Sequence, residues 1–371
     1  MDERLRSEDE TIRLLRESAA AIAPRGGPLS RIRALRFTLP GFSREVWQEI
    51  AGLGWLGLRL SEAEGGAGLG MEACCALAEE LGQGLVPEPL IPALISLPFL
   101  PPALRAQAVA GEIIVLPAWQ EEPGALGPPR PITHFERGVL SGQKRFVPMA
   151  AGADYFLVAA AEGLALVPKD AEGVSLVTAM TQDGGHLGTL SFEDAPAEPV
   201  SAEPLSAGPL SAGPVLAAFA AALDEAALAT AAYLLGLADR AFLLTLDYLR
   251  TREQFGRKIG TFQALQHRAA DLKLALELTR ASLWQAARRY DDPATPPGER
   301  QRLVSQAKAR ASRTALEVTA AAIQLHGGIA YTDEYDAGLF LRKAMVITPQ
   351  FGSADWHARR FAELSPPDED L

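Results

Sequence analysis

The stretch Arg250-Thr-Arg-Glu-Gln-Phe-Gly-Arg-Lys-Ile-Gly-Thr-Phe-Gln263 lies between two long runs of helical periodicity. Four basic residues, Arg250, Arg252, Arg257 and Lys258, gather here in a chain whose formal net charge is -11. A guanidinium offers a planar fork of donors suited to a pyrophosphate, and Gly256 and Gly260 let a ligand approach the backbone. The plain alternative is a solvated turn between helices. The whole string, with its aromatic and amide residues, is more specific than a bare basic loop.

Working outward, Ala217–Arg250 reads as one helix and Thr261–Tyr290 as the next, with Leu265, Ala269, Leu272, Leu276 and Leu283 on one stripe. Asp291-Asp-Pro-Ala-Thr-Pro-Pro297 is a turn, and a third helix runs from about Glu299 to His326, stopped by Gly327-Gly328. Between about 111 and 205 the texture changes to short apolar runs punctuated by Gly and Pro. Glu112–Pro117, Val139–Gly142, Tyr155–Ala161, Leu164–Val167 and Leu187–Phe192 read as strands, suggesting a small antiparallel barrel or sandwich. The repetitive Pro204–Pro214 reads as a linker or exposed loop. Upstream, helical spacing returns in Glu45–Gly54 and Met71–Leu81, joined by a Gly-rich connection over Glu62–Gly70. No strand leads into those glycines, so they do not form a phosphate loop. The order is α–β–α, with domains at 1–110, 111–205 and 215–371.

At 371 residues and 48% hydrophobic, the chain can bury a large core. Its acidic balance argues against a general nucleic-acid or anionic-membrane binder, since both need a positive surface. Cys74 and Cys75 are neighbours, which cannot ordinarily close a structural disulfide, and no His/Cys cluster with metal spacing surrounds them. The expectation is a reduced, cytoplasmic protein without a metal. Met1–Arg16 is rich in Asp, Glu and Arg and does not read as a signal peptide. The Ala-rich stretch near 215–246 comes closest to a membrane span, but Asp224, Glu225, Asp239 and Arg240 interrupt it.

Two C-terminal blocks resemble one family. Arg252-Glu-Gln-Phe-Gly256, followed by Gln263, is similar to the Arg-x-x-Phe-Gly…Gln string of acyl-CoA dehydrogenases. Gln324-Leu-His-Gly-Gly-Ile-Ala-Tyr-Thr-Asp-Glu-Tyr335 resembles that family's Gln-x-x-Gly-Gly-x-Gly-x-x-x-Glu-Tyr. The opening stretches Trp47–Leu60 and Ala78–Pro89 look like its first helices, so the resemblance spans nearly the whole chain. It implies an α+β fold: an N-terminal helical domain, a middle β-barrel domain and a C-terminal four-helix bundle. It implies FAD as cofactor, an acyl-CoA thioester as substrate, an electron-transfer flavoprotein as acceptor, and a homo- or hetero-oligomer. Arg252, Phe255 and Gln263 match positions that reach the ADP part of a neighbouring subunit's FAD. Gln254 falls where the family often has Thr or Ser at the cofactor, and Gln324 and Gly328 match the pyrophosphate cradle. In the middle region, Phe146 of Leu140–Met149 falls where an aromatic ring packs on the flavin. Pro148 falls where a Thr usually bonds the flavin ring; proline has neither hydroxyl nor N–H to donate. Trp119-Gln-Glu-Glu-Pro123 is partly similar to the flavin-side loop, so Gln120 is a candidate donor.

The implied reaction is α,β-dehydrogenation: a carboxylate removes the Cα proton while hydride leaves Cβ for the flavin. Where many members carry that Glu, just before Gly-Thr, this chain has Phe351 followed by Gly-Ser. A second branch takes its base from the helix before the Arg-x-x-Phe-Gly string. In register that position is Ala226, with Glu225 and Asp224 adjacent. One residue is about 100° on a helix, so Glu225 serves only if the register differs; otherwise it lies on a solvated first turn. Asp355 is a weaker candidate. Phe351-Gly-Ser-Ala-Asp355 resembles small subunits of heteromeric dehydrogenases for bulky acyl-CoAs. Two readings stay open, a self-sufficient dehydrogenase and a non-catalytic partner subunit, with a flavin oxidase or monooxygenase as a third.

Overall fold

The computed structural model describes residues 3–123, 127, 130–200 and 212–365. The expected linker Pro204–Pro214 lies outside the described residues as far as 211; residues 212–214 open a helix. Along the chain come α1 Glu3–Ala19, α2 Ser30–Leu35, α3 Arg44–Gly52, α4 Met71–Gln83, α5 Leu90–Ser96 and α6 Pro102–Val109. The strands β1 Val115–Ala118, β2 His134–Glu136, β3 Val139–Pro148, β4 Tyr155–Ala160, β5 Gly163–Pro168, β6 Val174–Met180, β7 His186–Pro196 and β8 Glu198–Val200 follow. Then come α7 Ala212–Thr251, the short strands β9 Glu253–Gln254 and β10 Arg257–Lys258, α8 Gln263–Asp291, α9 Pro297–His326, α10 Ala337–Ile347 and α11 Ala354–Leu364. Two compact units result, one of residues 1–30, 70–86 and 227–371, the other of 31–69 and 87–226.

The first unit is helical. The stripe Leu272, Leu276 and Leu283 of α8 is buried as its spacing requires. Helix α9 packs against α8 and also against α10 and α11, while α4 packs on α8 and α1 on α4. Helices α4 and α7 cross backbone to backbone. A Cβ on Gly82 would lie 2.0 Å from the Tyr233 carbonyl oxygen, and one on Gly236 would lie 1.8 Å from that of Glu79. Next to this crossing α4 buries two carboxylates. Arg16 reaches both, with 2.6 Å contacts to Glu79 and Glu80; Arg280 also pairs with Glu79, and Arg25 with Glu80. Unpairing such a buried charge costs about 3–5 kcal/mol, so α1 is held by charge as well as by packing. The expected four-helix bundle is therefore not a closed set of C-terminal helices: α1 and α4, from early in the chain, belong to the same helical body.

The second unit carries the β structure. One sheet has the order β1-β4-β5-β8, with β1 parallel to β4 and the other pairs antiparallel. The other has the order β2-β3-β7-β6 and is antiparallel throughout. The expected barrel does not close. Each ladder ends at a short or exposed edge: β2 and β8 are three residues long, and β6 is alternately half-buried and exposed. Among the described residues no ladder joins the two sheets. Phe156, Leu157, Val158, Leu166 and Val167 are buried in this unit, and α5 packs on β1.

Helix α7 is long and apolar enough to cross a membrane, but 61% of its most apolar 18-residue window is buried within the fold. That is how a core helix behaves.

Candidate functional site

The basic string folds as a projecting hairpin. The Arg252 N–H donates to the Tyr248 carbonyl at 2.9 Å, continuing α7, and the Ile259 N–H donates back to the Arg252 carbonyl at 2.9 Å. Between them β9 and β10 pair antiparallel, Gln254 opposite Arg257. The turn residues Phe255 and Gly256 take φ of 56° and 74°, the left-handed pair that a two-residue hairpin needs. Phe255 is 90% exposed and meets Phe262 edge-on at 6.1 Å, while the Arg257 guanidinium lies 4.0 Å above the Phe262 ring. Arg252 is exposed, and its side chain makes no hydrogen bond or ion pair among the described residues. The Gln254 side-chain amide donates to the Glu253 carbonyl at 2.8 Å. Gln263 is exposed at the start of α8.

The second block sits where α9 ends. Gly327 adopts φ of 65°, and a Cβ on Gly327 or Gly328 would meet nothing within 4 Å. Gln324 beside them is exposed, and Tyr331 is 82% exposed. Tyr248 stacks on His326 at 4.5 Å between ring centroids, and Tyr335 lies 4.9 Å from His326. The residue whose carbonyl launches the hairpin thus packs against the residue that precedes Gly327-Gly328, which ties the two blocks together. His326 itself is buried, its imidazole pushed below the ordinary range by burial, with Nδ1 on the Ala322 carbonyl at 2.7 Å. It is a packing group. An unpartnered guanidinium, exposed amides and open glycine backbone fit the diphosphate and adenine half of a dinucleotide.

In the β unit, the ladder between β3 and β7 slips by one residue between Lys144 and Val147. The bulge holds Phe146 at φ of 59°, half-buried, with the Arg145 guanidinium 5.2 Å above its ring. Gln120 is half-buried, and its carbonyl accepts the Arg145 N–H at 2.7 Å. Gln120 and Phe146 are therefore brought to adjoining segments. Pro148, buried and paired with Leu187, offers no donor.

The acidic candidates have partners. Arg59 grips Glu225 with both ends of its fork, Nη2–Oε1 2.6 Å and Nε–Oε2 3.1 Å, and donates to the Leu69 carbonyl at 3.2 Å. Asp224 is buried. Asp355 is exposed on the first turn of α11, 3.3 Å from Arg313. Phe351 is buried with φ of 55°, and its turn is locked by two side chains that the sequence did not single out. His357 Nε2 donates to the Phe351 carbonyl at 2.9 Å, leaving Nδ1 to accept from the Ser305 hydroxyl at 3.2 Å. Lys308, fully buried, donates to the carbonyls of Thr348 (2.8 Å) and Gly352 (2.9 Å). Burial lowers the Lys308 ammonium to about 7; burial and then the Lys308 charge lower His357 to about 3. One signal could have found Lys308: it shares a helical stripe with Val304, Ala311 and Ala315, all buried.

Residues 216–364 match the family model described as acyl-CoA dehydrogenase, C-terminal domain, and residues 9–100 match the N-terminal domain. Acyl-CoA dehydrogenase IpdE2 of Mycolicibacterium smegmatis is 30% identical over 96% of this chain and 96% of that protein. The chain belongs to the acyl-CoA dehydrogenase family. Its relatives there are FAD-dependent oxidoreductases. Among solved structures, a variant of the Tcur3481-Tcur3483 steroid ACAD superimposes with a TM-score of 0.82 at 32% identity, covering 97% of both chains. The ChsE4-ChsE5 complex from Mycobacterium tuberculosis gives 0.80 at 25% identity, covering 98% of this chain and 97% of that one. In this acyl-CoA dehydrogenase, then, the projecting hairpin carries the Arg252–Gln263 string and the open glycines belong to the Gln324–Tyr335 block.

Proposed function

We propose that this chain is one subunit of a heteromeric, FAD-dependent acyl-CoA dehydrogenase for bulky, steroid-type acyl-CoA thioesters, and that a second chain supplies the proton-abstracting carboxylate. The observation that carries this is the two-pronged grip of Arg59 on Glu225. To take a proton from Cα, Glu225 would first have to leave a guanidinium that holds both of its oxygens. The other family position is filled by Phe351, whose ring has no proton-accepting atom. Two similar solved structures are named for paired chains, Tcur3481-Tcur3483 and ChsE4-ChsE5, and the first is a steroid ACAD; that supports both the pairing and the substrate class.

In this reading Arg252 neutralises diphosphate charge on a neighbouring subunit's FAD, with Phe255 and Gln263 beside it. Gln324 and the Gly328 backbone donate to the pyrophosphate, Gln254 lies at the cofactor, and Phe146 and Gln120 flank the flavin. Bound FAD would supply the hydride acceptor. An electron-transfer flavoprotein is the proposed onward acceptor, and two buried cysteines outside any disulfide, Cys74 and Cys75, suit a reducing cytoplasm.

A second reading, a self-sufficient enzyme with Glu225 as base, draws on the β unit, which presents Phe146 and Gln120 on adjoining segments. The deciding experiment is the visible spectrum of the protein purified alone and after co-expression with a second acyl-CoA dehydrogenase chain, followed by anaerobic addition of a steroid-type acyl-CoA. Flavin bleaching only in the pair supports the proposal. Bleaching by the lone chain refutes it.

A further inference from the structure

Just behind Gln120 and Phe146 lies a buried ion pair that the reading above does not use. The Lys144 ammonium, with no exposed side-chain surface, pairs with Glu121, whose side chain is 9% exposed. The same carboxylate accepts the backbone N–H groups of Ile132 at 2.7 Å and Thr133 at 2.9 Å. Burial alone would raise this carboxyl, but Lys144 and the two N–H donors outweigh it and hold Glu121 below the ordinary carboxylate range. Thr133 is itself fully buried. It presses so close to Gly142, at φ of +139°, that a Cβ there would lie 2.8 Å from the Thr133 hydroxyl. One carboxylate therefore ties three segments: the loop at Trp119–Pro123, the approach to β2 at Ile132–Thr133, and β3.

The arrangement has a second rung. Arg145 N–H to Gln120 carbonyl, 2.7 Å, joins the residues that immediately flank the pair. Glu121 follows Gln120, and Lys144 precedes Arg145 and the bulge that holds Phe146. We infer that Glu121 and Lys144 are positioning residues that set the spacing of Gln120 and Phe146, and through it the affinity and orientation of the flavin, without touching it. This rests on the FAD reading proposed above.

A buried pair exchanged for apolar side chains of similar volume usually leaves a protein folded. The informative variant is thus the double change Glu121→Leu with Lys144→Met, alongside a second neutral pair, Glu121→Gln with Lys144→Met. FAD is titrated into deflavinated protein, in whichever assembly the parent needs to bind it, and visible circular dichroism of the flavin is recorded with the thermal midpoint. The expected result is a Kd for FAD raised about tenfold with an altered flavin dichroism, at a midpoint close to the parent's. If that first variant fails to fold, the pair Glu121→Gln with Lys144→Met, which leaves no buried charge and keeps an acceptor for the backbone donors, carries the same expectation. Parent-like Kd and dichroism in the folded variants overturn the positioning role and leave the FAD reading standing. A parent that takes up no FAD in any assembly overturns both.

Discussion

Replacing Lys308 with Met gives a pH signature whose size follows from the structure. Lys308 is fully buried, bonded to two backbone carbonyls and, at 3.3 Å, to the Ser312 hydroxyl; the charged or titratable side chains near it are His357 and, beyond that, Arg360. Its ammonium falls from an ordinary 10.5 to about 7, a penalty of about 5 kcal/mol on the charged form. Because the folded value is depressed, the unfolded chain holds the extra proton between pH 7 and 10.5. The penalty is complete below pH 7 and fades as pH rises, by up to about 1.4 kcal/mol per pH unit. Near the folded value the slope is blunted, so between pH 7 and 9 the parent gains about 2 kcal/mol relative to Lys308→Met. The variant also takes the Lys308 donor from the Gly352 carbonyl and from the Thr348 carbonyl, which keeps the Ser312 hydroxyl at 3.5 Å, a cost of about 1–3 kcal/mol that shifts its curve without tilting it. His357, at about 3, stays outside this window. Guanidinium unfolding of both proteins at pH 6, 7, 8 and 9, read by tryptophan fluorescence, tests the slope; Trp356 sits 4.7 Å from His357. Parallel curves from pH 7 to 9 would refute the argument, whatever their vertical offset.

Arg252→Ala should strip FAD from the assembled protein during gel filtration while the circular dichroism of the helices stays intact, since a charge-assisted contact is worth about 2–5 kcal/mol; full flavin occupancy would remove Arg252 from the site. Glu225→Gln should leave flavin reduction in the assembled enzyme within about twofold and cost about 1 kcal/mol of stability for the half-exposed pair with Arg59. A rate loss of about 100- to 10,000-fold would instead make Glu225 the base.

The long C-terminal helices were legible because their apolar residues repeat over many turns: Thr261–Tyr290 was expected and Gln263–Asp291 is found. Strands β4, β5 and β7 were legible as apolar runs. Strands β2, β6 and β8 were not, because two are three residues long and β6 keeps mostly exposed positions at a sheet edge. Nothing local in Met71–Gln83 tells that α4 packs with helices more than 150 residues later, since long-range pairing leaves no periodic trace. Likewise, residue type singled out the basic string in the sequence, but its β9–β10 hairpin was read there only as a stretch between two helices. The Arg59–Glu225 pair spans residues 166 positions apart, so the sequence showed Glu225 as an acid but could not show what holds it.

The crossing of α4 with α7 also sets a timetable. Glycines at 82 and 236 let two backbones touch, yet residues 87–226 must be made between the partners. At about 5–20 residues per second, α4 leaves the ribosome roughly 7–30 s before the surface it needs. Through that interval Arg16 and Arg25 are already available to Glu79 and Glu80, while Arg280 is not. The early arginines act as caretakers for two acids that would otherwise wait in water with an apolar helix face open beside them. Slow codons placed before residue 227 would lengthen that wait, and a nascent-chain holdase would find its binding surface on α4.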